Sequence, residues 1–347
     1  MKKIVTFLLA AALMVPVLSG CGNSDAKTLN IFAWDGYIPQ TVIDSFKEKT
    51  GIKINVANFE SNEEMLTKVQ SDTSGQYDLV MGSDYIIDIA RKQGGIMEEL
   101  DKSKLPNFQN VAPKYLNQYF DPENQYVVPY AAGTPLIVYD PNVVKTEITG
   151  YEDLWKPELA DSVVMMDDAR NVIGITLKTM GKSFNETDPQ VLAQAKEKLM
   201  KLKPNIRALS YDNPQGLMVS GEASVGYMFT SQVVEATREK PDLKVVYPKE
   251  GMGFGIDCMF LPVNAAHKDN AYQFLDYIMT GQVSADIANQ VSYLCTNTQA
   301  DIYLPEDYKT NKSLFIPDDV LGKTEFIQDV GNTTGEYEKI WTEFKQQ

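Results

Sequence analysis

Strand-like segments alternate with amphipathic helical segments along most of this chain, and this alternation limits the possible folds more than any other feature. In the first series, the apolar residues Val42, Ile43 and Phe46 share one helix face, and Gly51 follows as a helix stop. Strands separated by helices of about ten residues predict a parallel sheet with right-handed crossovers. The predicted strands are 29–34, 52–59 and 77–81, and the predicted helices are 40–50, 63–71 and 85–93.

A second α/β series follows an irregular stretch over residues 104–124 and an extended stretch over 126–139. The chain of 347 residues exceeds the roughly 250–300 at which a single core stops growing, so we expect two lobes. No low-complexity linker divides them, which favours lobes joined by strand crossovers. The predicted strands are 162–166, 206–211, 223–229, 244–247 and 254–263; the predicted helices are 169–180, 189–202, 232–240, 271–279 and 283–290, with a largely helical tail over 324–344.

The N-terminus has the pattern of a secretory signal. Lys2 and Lys3 precede an apolar run that is too short for a comfortable transmembrane helix, and small residues lead to Cys21. Residues 1–20 are therefore predicted to be a signal peptide and residues 21–26 a tether. The cysteine resembles that of a bacterial lipobox, which predicts lipidation of Cys21 and an extracytoplasmic protein anchored to the cell membrane through acyl chains. The alternative is an ordinary signal that happens to stop at a cysteine.

The net charge limits the classes of ligand and partner that this chain could bind, and the cysteines raise the question of a disulfide or a metal site. A formal net charge of -15 argues against nucleic acid and anionic lipid headgroups and suits a cationic solute, although it could serve solubility alone. Outside the cytoplasm, Cys258 and Cys295 could form a disulfide or remain two buried thiols. No spacing resembles a zinc site, and His267 lies in a predicted surface turn, so we expect neither a metal nor a cofactor.

Polar and aromatic clusters follow three predicted strands. Ligands bind beyond the carboxyl ends of the strands in open α/β sheets, so these clusters are candidates for a binding site. The alternative is structural, because Ser83, Asp84, Asp167 or Asp168 could simply cap a helix and the aromatic residues could belong to the core. The clusters are Trp34-Asp35-Gly36-Tyr37, Gly82-Ser83-Asp84-Tyr85 and Asp167-Asp168-Ala169-Arg170.

A set of short motifs resembles the spermidine/putrescine-binding proteins of polyamine ABC transporters, in order and over nearly all of the chain after the signal. The motifs are Trp34-Asp35-Gly36-Tyr37-Ile38-Pro39, Gly51-Ile52-Lys53, Glu60-Ser61-Asn62-Glu63, Tyr77-Asp78-Leu79-Val80, Asp101-Lys102-Ser103-Lys104-Leu105, Asp153-Leu154-Trp155, Asp167-Asp168-Ala169-Arg170, Asp188-Pro189, Pro248-Lys249-Glu250-Gly251, Asp257 and Asp329-Val330-Gly331.

The resemblance implies a type II periplasmic-binding-protein fold, in which two α/β lobes grip a solute and the chain crosses between them twice. It places lobe one at 27–132 plus 257–301 and lobe two at 133–256 plus 302–347. It also implies a polyamine ligand, putrescine or spermidine, and delivery to the permease of an ABC importer. The positions that match the family's binding residues are Trp34, Tyr37, Ser83, Tyr85, Asp168, Asp257 and Tyr293.

Several positions depart from the family pattern. Gly36 and Asn171 stand where acidic residues are common, Phe229 and Gly255 replace tryptophans, and Ile327 replaces a glutamine. Aspartates can bind ammonium groups and aromatic rings can flank a methylene chain, so the residue types still suit a polyamine. We expect Asn171 and Phe229 to remain in the site, and two neighbouring carboxylates could compensate for the lost acids, namely Asp35 and Asp84.

Two other classes of function remain open. A binding protein of the same fold could take another organic cation, a sugar or iron, although iron would favour neighbouring tyrosines and no Tyr-Tyr pair occurs. A secreted lipoprotein enzyme could use Asp167 and Asp168, but adjacent residues seldom face one substrate and no nucleophile–histidine pair is available. The sequence thus predicts a binding protein rather than an enzyme.

Overall fold

A computed structural model describes residues 25–346, and the predicted signal peptide and Cys21 lie outside these residues. The chain forms two β-sheets with helices packed against them. We call the seven-stranded sheet with its helices lobe one, and the five-stranded sheet with its helices lobe two. No helix within the described residues has the length and apolar character needed to cross a membrane.

The sheet of lobe one has the strand order β11-β4-β10-β3-β1-β2, with β12 paired to β10. The first three strands are parallel, as predicted, but β10 runs antiparallel to β3 and to β4. The prediction of parallel strands is therefore confirmed for the first series, and the sheet becomes mixed because β10 enters it from the other lobe. The strands are β1 (Thr28–Ala33), β2 (Lys53–Asn58), β3 (Leu79–Ser83), β4 (Val127–Gly133), β10 (Gly253–Phe260), β11 (Leu294–Cys295) and β12 (Glu325–Phe326).

The sheet of lobe two has the order β7-β6-β8-β5-β9 and is also mixed. Its strand β6 is parallel to β7 and β8, whereas β5 is antiparallel to β8 and β9. The strands are β5 (Leu136–Tyr139), β6 (Val163–Met165), β7 (Ile206–Leu209), β8 (Val225–Met228) and β9 (Lys244–Val246).

The helices cover both sheets. Those of lobe one bury apolar faces, as α1 does with Val42 and Phe46 before it ends at Gly51 in the left-handed conformation. The first helices are α1 (Gln40–Thr50), α2 (Asn62–Ser71), α3 (Asp84–Gln93), α4 (Ala169–Thr179), α5 (Pro189–Met200) and α6 (Pro214–Ser220). The remainder are α7 (Thr230–Glu239), α8 (Lys268–Ile278), α9 (Gly281–Val291), α10 (Glu306–Thr310), α11 (Asp318–Leu321) and α12 (Thr334–Gln346).

The chain connects the two lobes through strands, as the resemblance implies. The connection from β4 to β5 is the first crossover, and the connection from β9 to β10 is the second. The tail then returns to lobe two, where α12 packs against α4 and α5. The prediction of a helical tail is wrong for its first part, because Glu325 and Phe326 pair with Gly253 and Phe254 as a short strand.

The lone histidine is more firmly held than a surface turn would suggest. His267 stands at the N-terminal boundary of α8, and its backbone N–H donates to the buried carboxylate of Asp78 at 2.8 Å. The ring atom Nδ1 lies 3.0 Å from the same carboxylate. Asp78 also accepts from the backbone N–H of Asn30, so it joins β1 to the start of α8. His267 thus stands in a partly exposed segment before α8, as predicted, and also belongs to a structural contact.

Candidate ligand-binding cleft

Residues that follow strands of both lobes face each other across a cleft. Ser83 ends β3 and Tyr85 lies in the first turn of α3, whereas Asp168 precedes α4 in lobe two. Burial raises the pKa of Tyr85 above its ordinary value, and the charges of Glu63 and then Asp168 act in the same direction. Because a charge acts strongly only over a short distance, Asp168 of lobe two must lie near Tyr85 of lobe one.

Asp257 is the carboxylate at the centre of this cleft. It lies in β10 directly opposite Ser83, whose hydroxyl donates to Asp257 Oδ1 at 2.7 Å. Enclosure by the surrounding chain raises the pKa of Asp257, and hydrogen bonds from Ser83 and Tyr37 oppose that rise. No cation contributes to the shift, so within residues 25–346 this carboxylate is bonded only by neutral hydroxyl groups. An enclosed anion without a counter-charge is suited to a positively charged ligand.

Aromatic rings line the cleft beside Asp257. The rings of Tyr37 and Tyr293 lie 5.6 Å apart at 47°, and Tyr130 donates to the backbone carbonyl of Tyr37 at 2.6 Å. Across the cleft, Phe229 follows β8 and packs edge-on against Tyr211 at 5.9 Å. Such rings can flank a methylene chain and attract an ammonium group.

Tyr211 was not among the predicted site residues. Partial burial and the charge of Asp168 raise its pKa, and Tyr293 and Asp257 of the opposite lobe add to the rise. It therefore lies between the two lobes. The signal was present in the sequence, because Tyr211 ends the predicted strand 206–211 and obeys the same strand-end rule as the other candidates.

A second residue that the sequence analysis missed is Asn62. Its amide group donates to the hydroxyls of Ser83 and Tyr85, both at 3.1 Å, and its carbonyl accepts from the Ser83 backbone at 3.2 Å. Tyr85 in turn donates to Glu63 at 2.9 Å. This network fixes the orientation of Ser83 and Tyr85. Asn62 stands in the motif Glu60-Ser61-Asn62-Glu63 of the family resemblance, but an Asn at a helix start is ordinary and nothing in the motif marks it as a site residue.

Asp168 is both a helix cap and a cleft residue. Its Oδ1 accepts from the backbone N–H of Asn171 at 2.8 Å and from the Asn171 side chain at 3.1 Å. The structural interpretation of this residue is thus confirmed, and Asn171 is used to hold it. Both hydrogen bonds involve Oδ1, so neither of them uses Oδ2. The adjacent Asp167 instead bonds Trp341 and Lys345 of the tail helix.

The comparisons with known proteins agree with this architecture. Residues 41–316 match the family profile of the bacterial extracellular solute-binding proteins. The chain belongs to that family. This solute-binding protein is 36% identical over 346 residues, 99% of both chains, to the spermidine/putrescine-binding periplasmic protein of Salmonella typhimurium, and 34% identical over the same shares to that of Escherichia coli. A spermidine/putrescine ABC transporter substrate-binding protein from Streptococcus pneumoniae has a TM-score of 0.84 at 32% identity, covering 92% of this chain and 99% of its own. The resemblance seen in the motifs is confirmed.

The remaining predicted site residues of the solute-binding protein differ in how deeply they are buried. Trp34 packs on Phe59 at 4.3 Å, and the exposed Asp35 accepts from Asn58 at 2.7 Å. Asp84 is only 2% exposed, and it accepts from the Ile256 backbone at 2.9 Å and from Tyr119 at 3.1 Å. Burial raises its pKa to about 7. Asp35 is therefore a surface residue, whereas Asp84 lies beneath the floor of the cleft.

Proposed function

We propose that this protein is the solute-binding component of a polyamine ABC importer, which binds putrescine or spermidine in the cleft and delivers it to a membrane permease. The observation that carries the proposal is Asp257, an enclosed carboxylate that has hydroxyl partners and, within residues 25–346, no cation; rings of lobe one and Tyr211 of lobe two lie near it. The full-length relatives are named as spermidine/putrescine-binding proteins, which supports the same solute class. The proposed contact residues are Trp34, Asp35, Tyr37, Ser83, Asp84, Tyr85, Asp168, Asn171, Phe229, Asp257 and Tyr293, to which we add Tyr211.

The energetics suit a small organic cation. A charge-assisted hydrogen bond contributes about 1.5–3 kcal/mol, and a cation–π contact about 0.5–2 kcal/mol. Asp257 in lobe one and Asp168 in lobe two supply two anionic ends, and the tyrosines supply the rings. A few such terms, less the ordering costs, reach about -8 kcal/mol, which corresponds to micromolar affinity.

The first test is a calorimetric titration of the chain from Gly22 onward, which contains both lobes. Putrescine, spermidine, spermine and cadaverine are titrated at two salt concentrations, with Asp286→Asn on the exposed face of α9 as a charge-matched control. We expect one or more of these amines to bind tightly and to bind less tightly at high salt. Absence of heat with all four amines, from folded and ligand-free protein, would refute the polyamine proposal. Mass spectrometry of the recovered amine tests the accompanying proposal that the protein binds without turnover.

We further propose that the protein is held at the membrane through a lipid on Cys21, after cleavage of residues 1–20. The support is the apolar run followed by two small residues and a cysteine. Labelling of a bacterial culture with a radioactive fatty acid should mark the wild-type protein and leave Cys21→Ala unlabelled. Equal labelling of both forms would contradict the anchor.

The lobe boundaries are also proposed, at 27–132 plus 257–301 for lobe one and 133–256 plus 302–347 for lobe two. On these boundaries Gly133, residues 253–256 and β12, which pair within the seven-stranded sheet, are counted with lobe two. A solute that touches Asp257 and Asp168 together binds the closed arrangement of these lobes better than an open one, so it shifts the population towards closure. Small-angle scattering should therefore show a smaller radius of gyration with the bound amine. An unchanged radius would contradict closure while leaving the solute class untouched.

A further inference from the structure

One face of β10 forms part of the cleft floor. Side chains alternate along a strand, so positions 253, 255 and 257 share the face on which Asp257 meets Ser83. A Cβ added to Gly253 would lie 2.8 Å from the Ile327 side chain, so Ile327 covers that position. At Gly255, the only atom of the described residues within 4 Å of an added Cβ, apart from the glycine and its chain neighbours, is Asp84 Oδ2, at 3.7 Å. The partly exposed Gly255 therefore leaves an open space between Ile327 and Asp257, with a carboxylate at its base.

The neighbouring strand closes one side of this space. Gly133 of β4 pairs with Gly255, and a Cβ on Gly133 would lie 2.8 Å from the Tyr293 ring. The ring thus covers Gly133 and borders the space above Gly255. We call this space the Gly255 niche; its borders are Ile327, Asp257 and Tyr293, and its base is Asp84.

Asp84 retains the capacity to bind a cation. A carboxylate has about four acceptor positions, and its two side-chain oxygens here receive one hydrogen bond from Tyr119 and one from the Ile256 backbone. The ionisable groups that act on Asp84, or on which Asp84 acts, are Tyr119, Asp257 and Cys258. None of them carries a positive charge, and burial raises the pKa of Asp84 to about 7. Its proton would leave readily when an ammonium group entered the niche.

We propose that the Gly255 niche is an ammonium subsite of the cleft, with Asp84 as its counter-charge. This inference rests on the proposed polyamine function and specifies how the ligand lies. Positions 255 and 257 are separated by about 7 Å along the strand. The two nitrogens of an extended four-carbon diamine lie about 6 Å apart, given bonds of ~1.5 Å and angles near 111°. A diaminobutane unit therefore spans from Asp257 to the niche, whether it is putrescine itself or part of a longer polyamine. Its ammonium group at Asp257 is then the one that Asp168 of lobe two also contacts on closure, since both carboxylates act on Tyr211 between the lobes.

The test compares the dissociation constant of putrescine for wild type, Gly255→Ala and Asp84→Asn by calorimetry. The alanine methyl group meets Asp84 at an ordinary contact distance and occupies the niche, whereas asparagine keeps the shape and removes the charge. Both changes should weaken binding by about tenfold or more. The matched control is Gly335→Ala in α12. A Cβ added at Gly335 meets no described atom within 4 Å, so this variant should bind putrescine as wild type does. Circular dichroism verifies that each variant is folded, and the alanine variant tests the niche independently if Asp84→Asn misfolds.

The number of protons released on binding is a second measurement, and it would not change if Asp84 had only a structural role. Titrations at pH 7 in two buffers with different ionisation enthalpies should show that wild type releases part of a proton on binding putrescine and that Asp84→Asn releases less. If both niche variants bind putrescine within twofold of wild type, the subsite is wrong. If, in that same series, wild type binds putrescine and Asp257→Asn does not, the polyamine function still holds although the subsite is wrong. No binding by wild type would refute the function itself.

Discussion

Replacement of Asp257 by asparagine should affect the free and the liganded protein in opposite directions. Enclosure raises the pKa of this carboxylate, so its ionised form is disfavoured in the folded, ligand-free protein. The amide has the same shape and can still accept from Ser83. We therefore expect Asp257→Asn to raise the melting temperature of the ligand-free protein at pH 8, where the wild-type group carries most charge.

The effect on binding follows from the lost charge. Removal of one charge-assisted hydrogen bond costs about 1.5–3 kcal/mol, which corresponds to roughly a 10- to 150-fold weaker dissociation constant. A ligand at 100 times its dissociation constant stabilises a protein by about 2.7 kcal/mol, and a 100-fold weaker constant reduces this to about 0.4 kcal/mol. The thermal shift caused by the ligand should therefore nearly disappear in Asp257→Asn.

Differential scanning calorimetry with and without the tightest-binding amine measures both effects. Asp44→Asn on the exposed surface of α1 is the control, and its thermal shift on ligand addition should equal that of wild type. The reasoning would be refuted if Asp257→Asn kept the full ligand-induced shift. A large fall in melting temperature without ligand would equally contradict it, because Asp257 would then stabilise the fold.

Three further predictions concern stability and the state of the cysteines. The pKa of Asp84 is about 7 against an ordinary 3.8, so between these pH values the folded state holds a proton that the unfolded state has released. This group therefore lowers the free energy of unfolding by up to roughly 4 kcal/mol as pH rises from 4 through 7. Chemical denaturation across that range should show a shallower fall of the free energy of unfolding in Asp84→Asn, and identical slopes would contradict this. Gly174→Ala places a Cβ against the Phe184 ring and should cost about 1–3 kcal/mol in urea denaturation, unlike Gly335→Ala. Both cysteines of the described chain are free thiols, so a thiol reagent should count two in unfolded protein without reductant, and a count of zero would indicate a disulfide.

Local patterns predicted the elements of the first series well. Val42 and Phe46 are buried on α1 and Gly51 ends it, because helix periodicity and a left-handed stop are properties of a short segment. Strand direction was not predictable in this way. β10 is antiparallel because the chain reaches it from lobe two, and β12 forms because Glu325 lies alongside Gly253. Both depend on contacts between distant parts of the sequence.

The site, like the fold, has features that follow from a short segment of sequence and others that depend on distant contacts. The strand-end rule predicted Ser83, Tyr85 and Asp168, because a strand end is visible in the sequence. It could not predict that Asn62 orients Ser83 and Tyr85, since that requires α2 to lie beside the end of β3. The depth of Asp84 was equally hidden, because its burial depends on a tyrosine 35 positions away in the irregular segment.

The placement of charge explains why such a cleft would close only on the correct solute. Asp257 lies in lobe one and Asp168 in lobe two, so a cation that contacts only one of them gains nothing from closure. A cation placed so that it reaches both would make its second contact only when the lobes approach, and this difference in affinity would shift the population. The raised pKa of Asp257 shows that burial disfavours its ionised form in the ligand-free protein. A bound cation would offset that free-energy cost and so add to the affinity of the closed arrangement. On the proposed binding mode, ligand length and charge spacing, in addition to charge, would therefore decide which amine the cleft binds.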